Sequence, residues 1–341
     1  MATILYERDA DPAALAGQRI TVVGYGNQGR SWALNLRDAG LEVQVCVRAD
    51  ATAAQAAADG FATGPLDDAG DAEVACYLVP DDVIPTLPLP ERPDALTVVA
   101  SGYTPAFGRI DPPGDVAMVA PRMLGPEVRR CYEEGVGFIT AVGVHKDRTG
   151  TARARMLALA AAIGGLRQGA VEITPMQEAL LDLGVEQILA PALAHVHQSF
   201  IQVMLEAGVP LEAVLAELVL SGEVERTMRL TRLEGYAAQM EHHSPTSQYG
   251  QLSRAERYQA FDLLPVMRAS VEEIRSGRFA DEWDAEREAG HPRLAALRRA
   301  AVGAEVRAFE AEVRARLGEL VARNGPPPID PPPTDPGTST R

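Results

Sequence analysis

Two sets of residues in this chain have the types and spacing for chemistry. The first is Gly24-Tyr25-Gly26-Asn27-Gln28-Gly29, which follows the apolar run Ile20 to Val23 and opens a helical stretch, Ser31 to Ala39. In a strand–loop–helix setting this G-x-G-x-x-G pattern suits a dinucleotide, so all six residues are candidates for cofactor binding. Gly24 allows the tight turn, Gly26 lets a pyrophosphate reach the backbone, Gly29 permits close helix packing, and the helix N-terminus offers unpaired N–H groups to the anion. The second set is Glu178, Asp182 and Glu186, at i, i+4 and i+8, which line one face of a helix among apolar residues such as Leu180, Leu183 and Ile188. Clustered carboxylates in apolar surroundings raise one another's pKa unless a cation neutralises them, and hard oxygen donors with retained water suit Mg²⁺. An ordinary acidic helix face has the same spacing.

The end of the second strand bears on which nicotinamide is taken. Arg48-Ala49-Asp50-Ala51 offers one base and one acid: Arg48 to stack on adenine, Asp50 to accept a ribose hydroxyl and repel a 2′-phosphate. NAD(H) is therefore expected in preference to NADP(H). The alternative for Asp50 is to cap the helix that begins at Thr52.

These residues must be positioned by a recognisable alternation of elements. Apolar runs at Ile20 to Val23, Val43 to Val47, Glu73 to Val79, Ala95 to Ala100, Val116 to Ala120 and Gly137 to Val144 alternate with polar or helical connections. That pattern predicts an α/β Rossmann domain, a doubly wound and mostly parallel sheet, over residues 1–173. From Pro175 the periodicity is helical: Pro175 to Leu193, Ala194 to Ala207, Leu211 to Leu233, Arg254 to Ser276 and Pro292 to Ala322, an all-α domain over 174–325. Residues 326–341 hold seven prolines in sixteen positions and are expected to be a disordered tail.

Composition narrows the partners. The 341 residues carry 32 basic and 47 acidic side chains, a formal charge of −15, which argues against a sequence-independent hold on nucleic acid or an anionic membrane and favours small ligands or metal ions. Cys46, Cys76 and Cys131 lack metal or disulfide spacing. Neither a signal-peptide pattern nor an uninterrupted 18-residue apolar run occurs, so a cytoplasmic protein without a membrane span is expected.

The stretch Val23-Gly24-Tyr25-Gly26-Asn27-Gln28-Gly29, followed by Ala33-Leu34-Asn35-Leu36-Arg37-Asp38-Ala39-Gly40, resembles the GYGSQGHAHALNLRDSG signature of the ketol-acid reductoisomerases of branched-chain amino-acid synthesis. The likeness continues through Val79-Pro80-Asp81-Asp82, Ala120-Pro121-Arg122, Gly164-Gly165, Asp182 to Gln187 and Tyr249-Gly250, about residues 1 to 325. It implies the short form of that family, with a knotted all-α C-terminal domain, two Mg²⁺ ions per site and a homodimer with a shared active site. It also places Val79, Pro80, Asp81 and Gly102 near the nicotinamide cofactor. Asp182 matches the family's bridging aspartate and Glu186 the glutamate of its D-x-x-x-E pair. Glu217 falls where a metal-binding glutamate is supplied by the partner subunit, and Ser244, six residues before Gly250, where a serine binds the substrate carboxylate.

The departures are as informative. The family's second C-terminal glutamate would be Ser221, with Glu223 or Glu225 as the nearest replacements. A histidine before glycine becomes Ser101-Gly102, and the lysine of Ala-Pro-Lys becomes Arg122. Ser101 cannot act as an acid or base near neutral pH, and Arg122 holds its proton, so it serves to clamp a carboxylate, to stabilise negative charge, or simply to form a salt bridge at the sheet end. His242 and His243 beside Ser244 are further metal or acid–base candidates.

A retained hydride carrier and carboxylate centre with altered neighbours imply a changed reaction on a 2,3-dihydroxy or 2-keto-3-hydroxy acid. Within the family, the sequence is similar to the homologues of malleicyprol-type pathways, which form a cyclopropanol from a sulfonium-bearing dihydroxy acid without net redox change. The alternatives are a genuine ketol-acid reductoisomerase, a plain 2-hydroxy-acid dehydrogenase and a non-catalytic nicotinamide-binding protein.

Overall fold

The computed structural model describes residues 1–302 and, beyond them, 304, 307, 308, 311–313 and 315. The Pro-rich tail and the end of the helix expected over Pro292 to Ala322 lie outside the described residues. The chain divides into two compact units, Met1–Ile188 with Ala269–Asp284, and Leu189–Arg268 with Ala285–Arg341.

The first unit is built on a nine-stranded sheet. Its strands are β1 (Thr3–Leu5), β2 (Ile20–Val23), β3 (Val43–Cys46), β4 (Ala62–Gly64), β5 (Val74–Tyr77), β6 (Leu96–Val99), β7 (Asp115–Pro121), β8 (Thr140–Lys146) and β9 (Ala170–Glu172). Their spatial order is β1-β9-β8-β7-β6-β5-β2-β3-β4. From β4 through to β7 every pairing is parallel, as is β8 with β9, while β7–β8 and β1–β9 are antiparallel. All four residues of β2, β5 and β6 are buried, as parallel strands covered on both faces require.

The helices of this unit are α1 (Asn27–Asp38), α2 (Ala51–Ala58), α3 (Tyr103–Ala106), α4 (Gly125–Glu133), α5 (Ala152–Ala162) and α6 (Pro175–Gly184). One core, with Trp32, Leu36, Met156 and Leu159, packs α1 and α5 against one face of the sheet; a second, with Tyr77, Ile84, Val99 and Met118, fills the other. Two boundaries differ from the sequence reading. Helix α1 starts at Asn27, four residues early, because the glycine loop runs directly into it. Strand β8 starts at Thr140 because Gly137 stands in a left-handed turn at φ 64°.

The chain leaves β2, crosses by α1 to β3 on one side and returns in β5 on the other side of β2. Such a reversal opens a crevice at the C-terminal ends of the two strands, where doubly wound folds bind ligands.

Helix α6 begins with a capping box, Thr174 and Gln177, and a proline in its first turn. It passes through a π turn, Val185–Leu189, into α7 (Ala190–Glu206). By length and composition alone the run Pro175–Glu206 could reach across a bilayer, although Glu178, Asp182 and Glu186 interrupt its apolar sequence.

The second unit is helical among the described residues. It contains α7, α8 (Leu211–Leu215), α9 (Glu223–Glu234), α10 (Tyr236–Glu241), α11 (Pro245–Gln259) and α14 (Pro292–Val302), while α12 (Leu264–Arg275) and α13 (Arg278–Glu288) are divided between the units. The stretch Leu211 to Leu233, expected as one helix, is broken into α8, a π turn at Ala216–Leu220 and α9, because Gly222 takes a left-handed φ of 73°. The stretch expected over Arg254 to Ser276 is the end of α11 followed by α12.

Candidate active site

Parallel strands deliver their C-terminal loops to one edge. In this unit β2 delivers Gly24–Gly29, β5 delivers Val79–Asp82, β6 delivers Ser101–Gly102 and β7 delivers Arg122.

The glycine loop fits a dinucleotide. Gly24 has a φ of 93°, and a Cβ there would lie 2.5 Å from Val79 Cγ1 and 2.9 Å from the Leu78 carbonyl. A Cβ on Gly29 would meet the Gly24 carbonyl at 2.2 Å, whereas one on Gly26 would meet nothing within 4 Å. Two glycines are thus required by the protein's own packing, and the third borders open space where a pyrophosphate can approach the N-terminus of α1. Gln28 is held by its Nε2 donating to the Met123 carbonyl (3.1 Å) and its Oε1 accepting from Trp32 Nε1 (3.2 Å). Asn27 abuts α4, since a Cβ on Gly125 would come within 2.3 Å of its backbone. Tyr25 donates its hydroxyl to Asp59 (2.9 Å), which also accepts from Arg30 Nε (2.8 Å). The Arg30 bond, before all else, holds the Asp59 carboxyl down at about 2. No local sequence signal marks Asp59 as the brace of this loop.

Asp50 is the N-cap of α2, accepting from the Thr52 N–H at 2.9 Å, and it pairs with Arg48 at 3.3 Å. Both side chains are exposed beyond β3, so capping and contact with a ribose are compatible roles.

The acidic centre is organised by Arg122. Its Nη2 donates to Glu178 Oε1 and its Nη1 to Asp182 Oδ1, the latter at 3.3 Å. The Glu178 side chain is 0% exposed, and its Oε2 accepts the Gly102 N–H at 2.5 Å. Glycine is needed at 102, because a Cβ would lie 2.1 Å from the Pro175 carbonyl. Burial pushes the Glu178 carboxyl up from its ordinary range, against the pull of Arg122 and the Gly102 N–H. Burial, with Asp182 adding to it, also raises Glu186. Ser101 donates its hydroxyl to Asp81 Oδ1 at 2.8 Å, and burial pushes Asp81 up to about 6. Val79 is half-buried against the core, and the Pro80 carbonyl accepts from Val83 N (2.9 Å), closing the turn that carries Asp81. The i, i+4 spacing was the only sequence signal for Glu178, and it says nothing of partners 56 and 76 positions earlier in the chain.

The remaining candidates lie in the second unit. Glu217 is exposed on the π turn Ala216–Leu220, and Ser221 follows that turn. Ser244 caps α11, accepting from the Ser247 N–H at 3.3 Å. His243 stands 2.8 Å from Gln239 and His242 2.7 Å from Glu234, so both rings have protein partners. Glu223 and Glu225 are exposed in the first turn of α9. Among the described residues no group of three His, Cys, Asp or Glu side chains could hold a metal. Asp182 and Glu186, one turn apart, supply two hard oxygen donors, which suits a hydrated Mg²⁺ whose waters complete the shell.

Comparison with known proteins agrees with this geometry. Residues 14–169 match the acetohydroxy acid isomeroreductase NADPH-binding domain, and residues 176–319 the ketol-acid reductoisomerase C-terminal domain. The ketol-acid reductoisomerase (NAD(P)(+)) of Metallosphaera sedula is 34% identical over 96% of this chain and 98% of its own length. The putative ketol-acid reductoisomerase 3 of Saccharolobus solfataricus is 37% identical over 89% of this chain and 95% of its own. The structure of an NADH-preferring ketol-acid reductoisomerase from an uncultured archean superposes with a TM-score of 0.83 at 30% identity, covering 92% of this chain and 98% of that one. Together with the Rossmann unit and its glycine loop, these matches establish that the chain belongs to the ketol-acid reductoisomerase family of NAD(P)-dependent oxidoreductases and isomerases, as a divergent member.

Proposed function

We propose that the protein is a magnesium-dependent, NAD(H)-preferring cytoplasmic enzyme that acts on a 2,3-dihydroxy or 2-keto-3-hydroxy acid. We further propose that its reaction is redirected from alkyl migration to a redox-neutral ring closure on a sulfonium-bearing dihydroxy acid, in specialised metabolism. The observation that carries this reading is the pair of substitutions at the strand ends. Ser101 and Arg122 stand where the family has an imidazole and an amine, while the glycine loop, Asp182 and Glu186 are kept.

When bound, the nicotinamide supplies reversible hydride transfer and magnesium supplies Lewis-acid stabilisation of oxygen anions. The chain's own residues divide the remaining work. Ser244 takes the substrate carboxylate, Asp182, Glu186 and Glu217 hold the cation, and Arg122, which keeps its proton, stabilises negative charge without shuttling hydrogen. The net change forms a C3–C5 bond, breaks the C5–S bond, releases the C3 proton and the neutral sulfide, and leaves C2 at its starting oxidation level. The exposed carboxylate of Asp50 and the NADH preference of the structural relative support NAD(H). A homodimer with a shared site is supported by Leu193, Val196, Phe200 and Val203, large apolar side chains left exposed on α7.

The test is to incubate the protein with Mg²⁺, NAD⁺ and a 5-sulfonio-2,3-dihydroxy acid and follow the products by NMR. Cyclopropane protons and released sulfide at constant NADH absorbance support the proposal. Stoichiometric NADH formation, or no turnover of this substrate, overturns it. A second reading, an ordinary reductoisomerase, is favoured by the near full-length match to the archaeal enzymes and predicts turnover of acetolactate with NAD(P)H.

A further inference from the structure

We infer that Ser101 and Asp81 form a proton relay for the hydride step at C2 of the bound acid: Ser101 exchanges a proton with the C2 oxygen, and Asp81 stores the proton behind it. This rests on the hydroxy-acid reading above and applies to both of its forms, ring closure and reductoisomerase, since each passes hydride at C2.

The pair is built where two neighbouring parallel strands, β5 and β6, end. The Ser101 hydroxyl donates to Asp81 Oδ1 at 2.8 Å and accepts the Tyr103 N–H at 3.2 Å. A hydroxyl has one proton and two lone pairs, so among the described residues the half-buried Ser101 keeps one lone pair for a substrate hydroxyl. Asp81 lies two residues beyond Val79, whose Cγ1 would stand 2.5 Å from a Cβ on Gly24, so the turn that carries this acid borders the cofactor loop. Burial, together with the like charges of Glu178 and Asp182 on α6 and of Asp82 on its own turn, favours a proton on Asp81.

The other groups at this edge are committed. Both oxygens of Glu178 are engaged, by Arg122 and by the Gly102 N–H, and Arg122 keeps its proton. His145 is the single imidazole of residues 1–188, and it lies at the opposite edge of the sheet, since its neighbour Lys146 pairs with Val116 at the start of β7. In the reductive direction hydride adds to C2 and the carbonyl electron pair moves onto its oxygen. That oxygen takes the Ser101 proton, and Ser101 takes the one on Asp81; oxidation of the C2 hydroxyl runs the same path backward. Ser101 ends each transfer neutral, so it needs no acidity or basicity of its own.

The full-length protein with Mg²⁺ and NADH is given 2-keto-3-hydroxy-3-methylbutanoate, which can be reduced but has no leaving group, so the hydride step is read apart from ring closure. Ser101→Ala and Asp81→Asn are each expected to lower kcat by about a hundredfold with NADH affinity unchanged by fluorescence titration. The double variant should be no slower than either, and Ser101→Thr should keep the wild-type rate. Wild-type rates in the single variants, or a double variant slowed by the product of the two effects, overturn the relay and leave the hydroxy-acid reading standing; no reduction by the wild type overturns both. Should one single variant lose NADH binding, the other decides. A second measurement needs neither cofactor nor substrate. Ser101→Ala removes the bond that draws the Asp81 carboxyl down, so the pH window of Asp81-dependent stability in urea midpoints should move upward, and an unmoved window overturns the link between the two residues.

Discussion

In the first unit, each candidate group beyond β5, β6 and β7 has a partner within its own fold. Asp81 has Ser101, Glu178 has Gly102 and Arg122, and Asp182 has Arg122. In the second unit Glu217 and Ser244 are exposed, and α7 buries none of its residues although it is rich in Leu, Val and Phe. A sheet covered on both faces can settle its loops internally; helices that leave an apolar stripe in water need another surface before their polar candidates have a setting. In the proposed homodimer, the contrast separates a preorganised cofactor half from a half whose polar candidates would gain their setting on assembly.

The largest expected effect tests the centre of the organised half. Asp182→Asn or Glu186→Gln should lower magnesium-dependent turnover by about a hundredfold to a thousandfold while a fluorescence titration shows unchanged nicotinamide binding. Unchanged turnover would show that these acids are an ordinary helix face. Next, if the proposed isologous dimer supplies each site from both chains, a heterodimer with Asp182→Asn in one chain and Glu217→Gln in the other should recover one working site of its two. Recovery of none would confine the site to a single chain and remove the contrast.

The glycines give a finer division. Gly26→Ala should keep the wild-type melting temperature and weaken nicotinamide binding by about tenfold, roughly 1.4 kcal/mol, because its Cβ meets only the space the cofactor needs. Gly24→Ala, strained at a φ of 93° and overlapping Val79 and Leu78, should lose both binding and about 2–3 kcal/mol of stability, read by urea unfolding.

Asp81 makes the internal settlement of the first unit pH-dependent. Its carboxyl is raised from 3.8 to about 6, so between those values the native state holds more protons than the unfolded chain, and stability falls as pH rises through that window. A displacement of that size corresponds to about 3 kcal/mol, and Asp81→Asn should remove this slope from urea midpoints measured between pH 4 and 6.5. The smallest effect belongs to Asp50→Ala, which should cost about 1 kcal/mol as a lost cap and reduce the NAD(H) to NADP(H) preference. An unchanged cofactor ratio would leave Asp50 with the capping role alone.

The strands around the cofactor were legible because buried parallel strands are continuous apolar runs, as Ile20 to Val23 and Leu96 to Val99 are. The edge strands β1 and β4, and β9 next to β1, have three residues each, too few for any periodicity to register. Glu178 was visible through helical spacing, but its burial is a consequence of β6 and β7 ending beside α6, which local pattern does not encode. The break at Gly222 was missed because apolar periodicity resumes after it, and a glycine inside a helical pattern is often tolerated.

Glu186 and Glu217 both ride on π turns, Val185–Leu189 and Ala216–Leu220. Such a turn amounts to one residue inserted into a regular spiral, and each residue of an α-helix advances the azimuth by about 100°. Deleting a single residue from either turn would restore the regular spiral and move the side chains of that turn, its carboxylate among them, by up to about that angle, with the flanking turns kept in register. If these carboxylates hold the proposed ion, loss of metal affinity in a protein of unaltered helix content would be the signature of a change in aim with both acids still present.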